Sequence, residues 1–387
     1  MNQGKYVFAQ LTEFLPGRVF DGIVEKYNGN KYVKHFTCWN QLLVMIFGQL
    51  SNRDSLRDLI VSLDAHHLKS YHLGFGKSVT RSNLAKANES RDYRIFEEFA
   101  YYLIGIARKK LLNDDFEVKG KVYAFDSTTI DLCLSVFWWA NFRKTKEGIK
   151  LHTLYDIITQ IPAFVHITEA KVHDVMAMDL IQYESGAYYI FDRGYIDYER
   201  LYRITGLGSY FVIRAKKNMQ FDCSEYKDVN ASTGVMCDQI GFLTGFYVSK
   251  QYPEKMRRVF FYDIEMDRTF VFLTNNFELS PEQIALLYKN RWQIELFFKW
   301  IKQHLKIKSF WGTTENAVRV QIYSAIIAYC MVAIIVHYMK LERSTYEILT
   351  ILGISLLDKT PVKELFSKID NNNVKELTYK QLSLNLF

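Results

Sequence analysis

Three carboxylates carry the chemistry this sequence is equipped to do. Asp126 closes the apolar run of "VYAFDSTTI" and Asp192 that of "YYIFDRGY". A carboxylate at the end of a buried strand is costly unless it is solvated, paired or bound to a cation. Two neighbouring strands that both end in Asp set their carboxylates side by side at the strand ends, where α/β proteins form active sites. The two charges repel, and a divalent cation relieves the repulsion. Oxygen ligands with no His or Cys close by suit Mg2+ or Mn2+ better than Zn2+. A third carboxylate, from a helix packed on that sheet, completes a two-metal site. There one ion activates an attacking oxygen and the other stabilises the leaving oxygen of a phosphodiester. Glu295 is the residue that fits this third place.

Glu295 lies within "SPEQIALLYKNRWQIELFFKWIKQHLK", residues 280–306. Ser280 can cap, Pro281 suits the first helical position and Gln283 completes a capping box, so the helical register is well marked. At about 100° per residue, Tyr288, Arg291, Glu295 and Lys302 fall within roughly 60° of one another. Lys299 and Lys306 lie close by, and an apolar stripe (Leu287, Ile294, Phe298, Ile301, Leu305) runs alongside. Glu295 is therefore expected to be half-buried among cations that can hold phosphates. Arg291 and Lys299 each stand four residues from Glu295, which is also the spacing of ordinary helix salt bridges.

The elements that must position these residues read as follows. Residues 1–112 are helical, and "SVTRSNLAKANESRDYRIFEEF" resembles helix-turn-helix material, with Arg81 and Lys86 at the start of a short second helix. A plain helical bundle accounts for the same pattern. Strand patterns begin at "KGKVYAFDSTTIDL" and continue through "IKLHTLYDI" and "PAFVHITEA". "DVMAMDLIQY" and "DYERLYRI" read as helices, "AYYIFDRGY" and "YFVIRAK" as strands. The whole is a mixed α/β sheet. Residues 217–277 break the rhythm with antiparallel strand patterns and read as a β-rich insertion. The catalytic part then spans 113–216 and 278–345, and 346–387 is a C-terminal segment of no assigned role.

With these motifs in place the chain resembles a known family. Tyr288, Arg291, Glu295 and Lys302, at their spacing, match the Tyr-Arg-Glu-Lys signature of the insertion-sequence-four family of bacterial DDE transposases. "FDST" at 125–128 and "FDRGY" at 191–195 look like its two aspartate motifs, and the β insertion before the glutamate is a family trait. The resemblance covers most of residues 30–340. It implies a ribonuclease H-like fold in which Asp126, Asp192 and Glu295 bind two Mg2+ ions, with Mn2+ able to substitute. It implies cutting of double-stranded DNA at terminal inverted repeats and joining of the freed 3′-OH to target DNA, by a homodimer on paired ends. Tyr288, Arg291 and Lys302 would contact phosphates near the cut, and Trp292 would stack a displaced base or belong to the core. Lys299, Arg81 and Lys86 are further expected DNA contacts. A nuclease of the same fold that cuts without joining, and a domesticated DNA-binding protein without catalysis, are the alternatives.

Composition sets outer bounds. The 387 residues are 49% hydrophobic, which suits packed domains and not disorder. The net charge of +7 favours a polyanionic partner, and aromatics at 16% leave some rings for stacking on bases. The five cysteines have no C-x-x-C spacing and suggest a reducing cytoplasm. The N-terminus lacks a signal-peptide core, and the apolar run at 324–339 reads as a buried helix, short of the roughly 20 residues that span a bilayer. "GFGKS" lacks the first glycine of a phosphate-binding loop, and His152, His166 and His173 lack zinc-site spacing.

Overall fold

The computed structural model describes residues 4–76, 79–111, 117–132, 141–143, 146–304, 310–343 and 345–367. Leu305, Lys306 and the tail from 368 onward lie outside the described residues. Six helices come first: α1 (Val7–Thr12), α2 (Gly17–Lys26), α3 (Cys38–Leu50), α4 (Leu56–Ala65), α5 (Arg81–Ser90) and α6 (Arg94–Lys110). The sheet region follows with β1 (Val122–Leu132), β2 (Asn141–Arg143), β3 (Lys146–Asp156), β4 (Ile161–Glu169), β5 (Tyr188–Phe191), α7 (Tyr198–Gly206) and β6 (Tyr210–Arg214). Next come β7 (Phe221–Lys227), β8 (Val235–Leu243), α8 (Val248–Gln251), β9 (Met256–Asp263) and β10 (Arg268–Thr274). The chain ends in α9 (Pro281–Asn290), α10 (Trp292–His304), α11 (Glu315–Tyr338), α12 (Thr345–Ser355) and α13 (Val362–Leu365).

Strands β4, β3 and β1 pair antiparallel, and β1, β5 and β6 pair parallel. Three antiparallel strands followed by two parallel ones make the mixed sheet ribonuclease H-like. The β-rich residues 217–277 do not stand apart from it, because β10 pairs with β6 and carries the sheet on through β9, β8 and β7. The segment "DVMAMDLIQY" is helical as expected, in the form of a 3-10 helix over Asp174–Leu180.

The parallel strands are apolar on both faces because both faces are covered. Val122 and Ala124 of β1, with Tyr188 and Ile190 of β5, belong to one core together with α9, α10 and α11. Tyr123 and Phe125, with Tyr189 and Phe191, belong to a second core under α7. Helix α11 is the centre of the first core. By length and composition it could cross a membrane, yet 89% of its most apolar window is buried inside the protein. It packs against α6, α3, α5 and α12, so the N-terminal helices and the mixed sheet share one core. The first helix is tied to the segment after α12, since the Val7 and Phe8 N–H groups donate to the carbonyls of Asp358 and Leu356.

Helix α5 is reached from α4 through residues 66–80, and not through the three- or four-residue turn of a helix-turn-helix. It lies on α4 and α11 through Leu84, Ala87 and Asn88, leaving Arg81 and Lys86 exposed.

Candidate active site

The register of β1 and β5 brings the two aspartates together. Phe125 pairs with Phe191, so Asp126 and Asp192 are the next residues on adjacent parallel strands. Side chains alternate along a strand. Asp126 therefore shares a face with Ala124, the face that carries α9 and α10. The neighbouring β strand continues past this point as β3, where Asp126 lies opposite Thr153, so Asp126 sits within β1 and not at its end. Asp192 does end its strand and leads into a 3-10 turn at Arg193–Tyr195.

The helix that delivers Glu295 starts as its sequence dictates. Ser280 accepts from the Gln283 N–H and the Gln283 side chain returns the bond, with Pro281 at the first position. It is not one unbroken helix. The Arg291 N–H donates to the Tyr288 carbonyl and the Ile294 N–H to the Arg291 carbonyl, a tighter spacing that separates α9 from α10. Arg291 itself keeps right-handed helical angles, so the stripe stays on one side.

Arg291 is the hub of the site. One terminal nitrogen donates to Asp126 Oδ2 at 3.2 Å and the other to Glu295 Oε1 at 2.5 Å. Its Nε is buried with no hydrogen-bond partner. Burial works against the guanidinium charge, but Tyr288, Glu295 and Asp126 together hold its pKa above the ordinary value. Tyr288 donates to Asp192 Oδ1 at 3.2 Å, and its ring packs tilted against Phe272, 4.7 Å between centroids. Burial raises its phenol to about 12, so it remains a donor.

Asp126 is the perturbed acid. Burial pushes its pKa up to about 6; Glu295 and Asp192 add to the rise, while the Ser127 N–H and Arg291 oppose it. The Ser127 N–H donates to Asp126 Oδ1 at 2.8 Å, and the Tyr195 hydroxyl lies 3.5 Å from the same oxygen. Ser127 Oγ in turn donates to Asp174 at 2.6 Å, and Lys150 pairs with Asp174 at 3.2 Å. These supporting residues were missed from the sequence. Ser127 and Tyr195 stand inside the two aspartate motifs and were findable there, whereas Asp174 has no local signal.

Other expected site residues lie as follows. Glu295 keeps 56% of its side-chain surface exposed, so it is about half-buried. Lys302 donates to the Thr129 carbonyl at 2.8 Å and so braces β1 beyond Asp126. Trp292 is 52% exposed, which removes it from the core. Lys299 is exposed on α10, while Arg81 and Lys86 lie on α5 among the N-terminal helices. His152 is fully buried and bonds Thr168, a structural histidine.

Among the described residues, no three His, Cys, Asp or Glu side chains gather around one point. Asp126 and Glu295 instead meet on the Arg291 guanidinium. The donor set still fits a hard divalent cation. It consists of carboxylate oxygens, and the burial that raises the Asp126 pKa, with a lesser push from Glu295 and Asp192, is a penalty on the charged form that a cation would relieve.

A family model described as a transposase DDE domain matches residues 118–331, more than half of the chain and all three carboxylates. The chain belongs to the DDE transposases. A model described as a domain of unknown function, DUF4372, matches residues 3–76 of this transposase. The putative transposase y4zB of Sinorhizobium fredii is 36% identical over 269 residues, covering 69% of this chain and 73% of that protein. The probable transposase for insertion sequence element IS5377 of Geobacillus stearothermophilus is 32% identical over 206 residues, covering 53% and 54%. The putative transposase for IS4SA of Synechocystis is 30% identical over 277 residues, covering 67% and 73%. Among solved structures, a piggyBac transposase synaptic complex with hairpin DNA aligns with a TM-score of 0.47 and 11% identity, over 96% of this chain and 82% of that one. The transposase is thus an insertion-sequence enzyme that cuts and joins DNA, and divalent-metal dependence comes with its family.

Proposed function

We propose that Asp126, Asp192 and Glu295 are the cation-holding carboxylates of this transposase, with Mg2+ as the resident ion and Mn2+ able to replace it. The observation that carries the proposal is the pairing of Phe125 with Phe191, which makes Asp126 and Asp192 neighbours, together with the single guanidinium that reaches both Asp126 and Glu295. Divalent cations held there would activate the attacking oxygen and offset the charge on the leaving oxygen.

The chain's own residues do the rest. The Ser127 N–H and the Tyr288 hydroxyl each hold one aspartate oxygen, which fixes both carboxylates before the substrate arrives. Arg291 presents a planar fork that suits a phosphate as well as a carboxylate, so it can grip a non-bridging oxygen beside the scissile bond. Lys302 keeps β1 in place through Thr129. Trp292, exposed at the start of α10, offers a ring on which a displaced base can stack. The enzyme works as a homodimer on paired terminal repeats, on DNA in the bacterial cytoplasm.

The test is calorimetric titration of Mg2+ and Mn2+ into the DNA complex, using ends taken from the DNA flanking the gene. Asp126→Asn, Asp192→Asn and Glu295→Gln should each weaken binding and stop cleavage. Unchanged metal binding in any one of them would remove that residue from the ligand set.

A further inference from the structure

Asp126 lies where the sheet is incomplete. Strand β5 pairs with β1 only as far as Phe125, so from Asp126 onward β1 keeps β3 as its strand partner among the described residues. A ladder on one side leaves the other side of the backbone without strand bonds to fix it. There the Ser127 N–H is given to Asp126 Oδ1 at 2.8 Å. The direction of the Asp126 carboxylate thus depends on how firmly Ser127 is held.

Ser127 is held from a distant part of the chain. Its Oγ donates to Asp174 Oδ1 at 2.6 Å. Asp174 opens the 3-10 helix Asp174–Leu180, which follows β4. Lys150 of β3 fastens the start of that helix twice, with its Nζ 3.2 Å from Asp174 Oδ1 and donating to the Val172 carbonyl at 2.7 Å. His152, opposite Ser127 in the register of β1 and β3, brings Nδ1 to 3.9 Å from the same oxygen. Three side chains from β1 and β3 therefore converge on one carboxylate oxygen. The same 3-10 helix packs on the turn Arg193–Tyr195 that follows Asp192, and the Tyr195 hydroxyl lies 3.5 Å from Asp126 Oδ1. Asp174 thus stands at a joint between the two aspartate motifs. Stability gives little reason for this arrangement, because Asp174 is 39% exposed and ion pairs of exposed groups contribute little. What the arrangement does fix is a direction, and the hydrogen-bond partners behind a metal ligand act in that way.

We propose that Asp174 is a positioning residue of the transposase. Anchored by Lys150, it acts through the Ser127 hydroxyl to fix the direction in which Asp126 presents its carboxylate to a cation. The inference rests on the reading of Asp126 as a cation ligand, so Asp126→Asn is measured beside it.

Mn2+ should be titrated into the full chain bound to the same DNA ends, with the free ion read from its electron paramagnetic resonance spectrum. Asp174→Ala and Ser127→Ala should each weaken Mn2+ binding about tenfold, the scale on which such partners act on metal affinity. The double variant should lose no more than either single change, because both break one chain of contacts. Asp174→Asn keeps an oxygen for the Ser127 hydroxyl and should lose less than Asp174→Ala. Asp179→Ala is the control. Asp179 belongs to the same 3-10 helix but pairs with Arg200 and Arg203, so its loss should leave the affinity at the parent value. Thermal melts establish that each variant is folded. Should Asp174→Ala not be, Ser127→Ala decides alone, since it leaves Asp174 paired with Lys150. Parent-like affinity in either folded variant, with Asp126→Asn weakened, would overturn the positioning role and leave the cation site standing. A double loss equal to the product of the single losses, or an equal loss in Asp179→Ala, would overturn it as well. Parent-like affinity in Asp126→Asn would remove both readings together.

Discussion

Two arginines of this sheet-and-helix core each meet carboxylates, and they do so in opposite ways. Arg257 of β9 forks onto Asp238 of β8, with Nε to Oδ1 at 2.9 Å and a terminal nitrogen to Oδ2 at 2.7 Å. Its remaining terminal nitrogen donates to the carbonyls of Asn276 and Leu279. The pair is sealed, at 2% and 1% exposure. Arg291 gives one hydrogen bond to each of two carboxylates from different elements, leaves its Nε without a partner, and touches an acid whose pKa is far from its ordinary value. A closed network has no bond left to make and serves the fold. An unfinished one can be rearranged, its N–H groups turning to a phosphate and its carboxylate oxygens to a cation.

The largest effect that would test this contrast is on the reaction itself. Asp126→Ala, Asp192→Ala and Glu295→Ala should each abolish cleavage and strand transfer in gel assays while leaving DNA binding largely intact. Full activity in one of them would erase the functional side of the comparison.

Next in size is the closed pair. Arg257→Ala strands Asp238 as a buried, unpaired charge and should cost about 3–5 kcal/mol in denaturant unfolding. Replacing both partners together, as Arg257→Met with Asp238→Leu, should recover much of that loss. If the single change proves harmless, Arg257 is not the sealed structural pair described above.

Arg291→Ala should behave the other way round. Folding should change little, and single-turnover cleavage should fall at least about tenfold, the effect of roughly 1.4 kcal/mol of barrier. Normal rates with a lowered melting point would make Arg291 another structural arginine. Lys302 divides the two cases. Its bond to Thr129 predicts that Lys302→Ala lowers the melting point as well as the rate. Tyr288→Phe should be milder than either, since the ring packing survives and only the hydroxyl on Asp192 is lost.

The smallest test concerns pH. Burial lowers the pKa of His152 to about 4, with Asp174 opposing. A depressed folded pKa gives stability that is fully present above the unfolded value and lost as pH falls through the folded one. The contribution is on the order of 3 kcal/mol and should disappear between about pH 6.5 and pH 4. His152→Gln should flatten that part of the acid melting curve; an identical curve would show that His152 is not buried in its neutral form.

Much of the site was legible because its signals are local. The apolar runs ending at Asp126 and Asp192 report strands covered on both faces, and the Ser280–Gln283 box fixes the phase of the helix. The bonds from Ser127 and Tyr195 to Asp126 were within reach, because both residues belong to the same motifs. Asp174 was not, since it meets Ser127 across 47 residues of chain.

The sequence by itself determined which residues can do chemistry, which elements carry them, and that Arg291 and Glu295 share a helical stripe four residues apart. Only the tertiary structure decided how those residues are shared out. It turned Arg291 inward between two acids and left just over half of the Glu295 side chain in solvent. It committed Lys302 to a strand carbonyl and exposed Trp292. It also ran residues 217–277 on as part of the same sheet. The physical reason is the range of the forces involved. Periodicity and capping are set by neighbours within a few residues, whereas burial, desolvation and the partner each charge finds depend on surfaces brought together from distant parts of the chain.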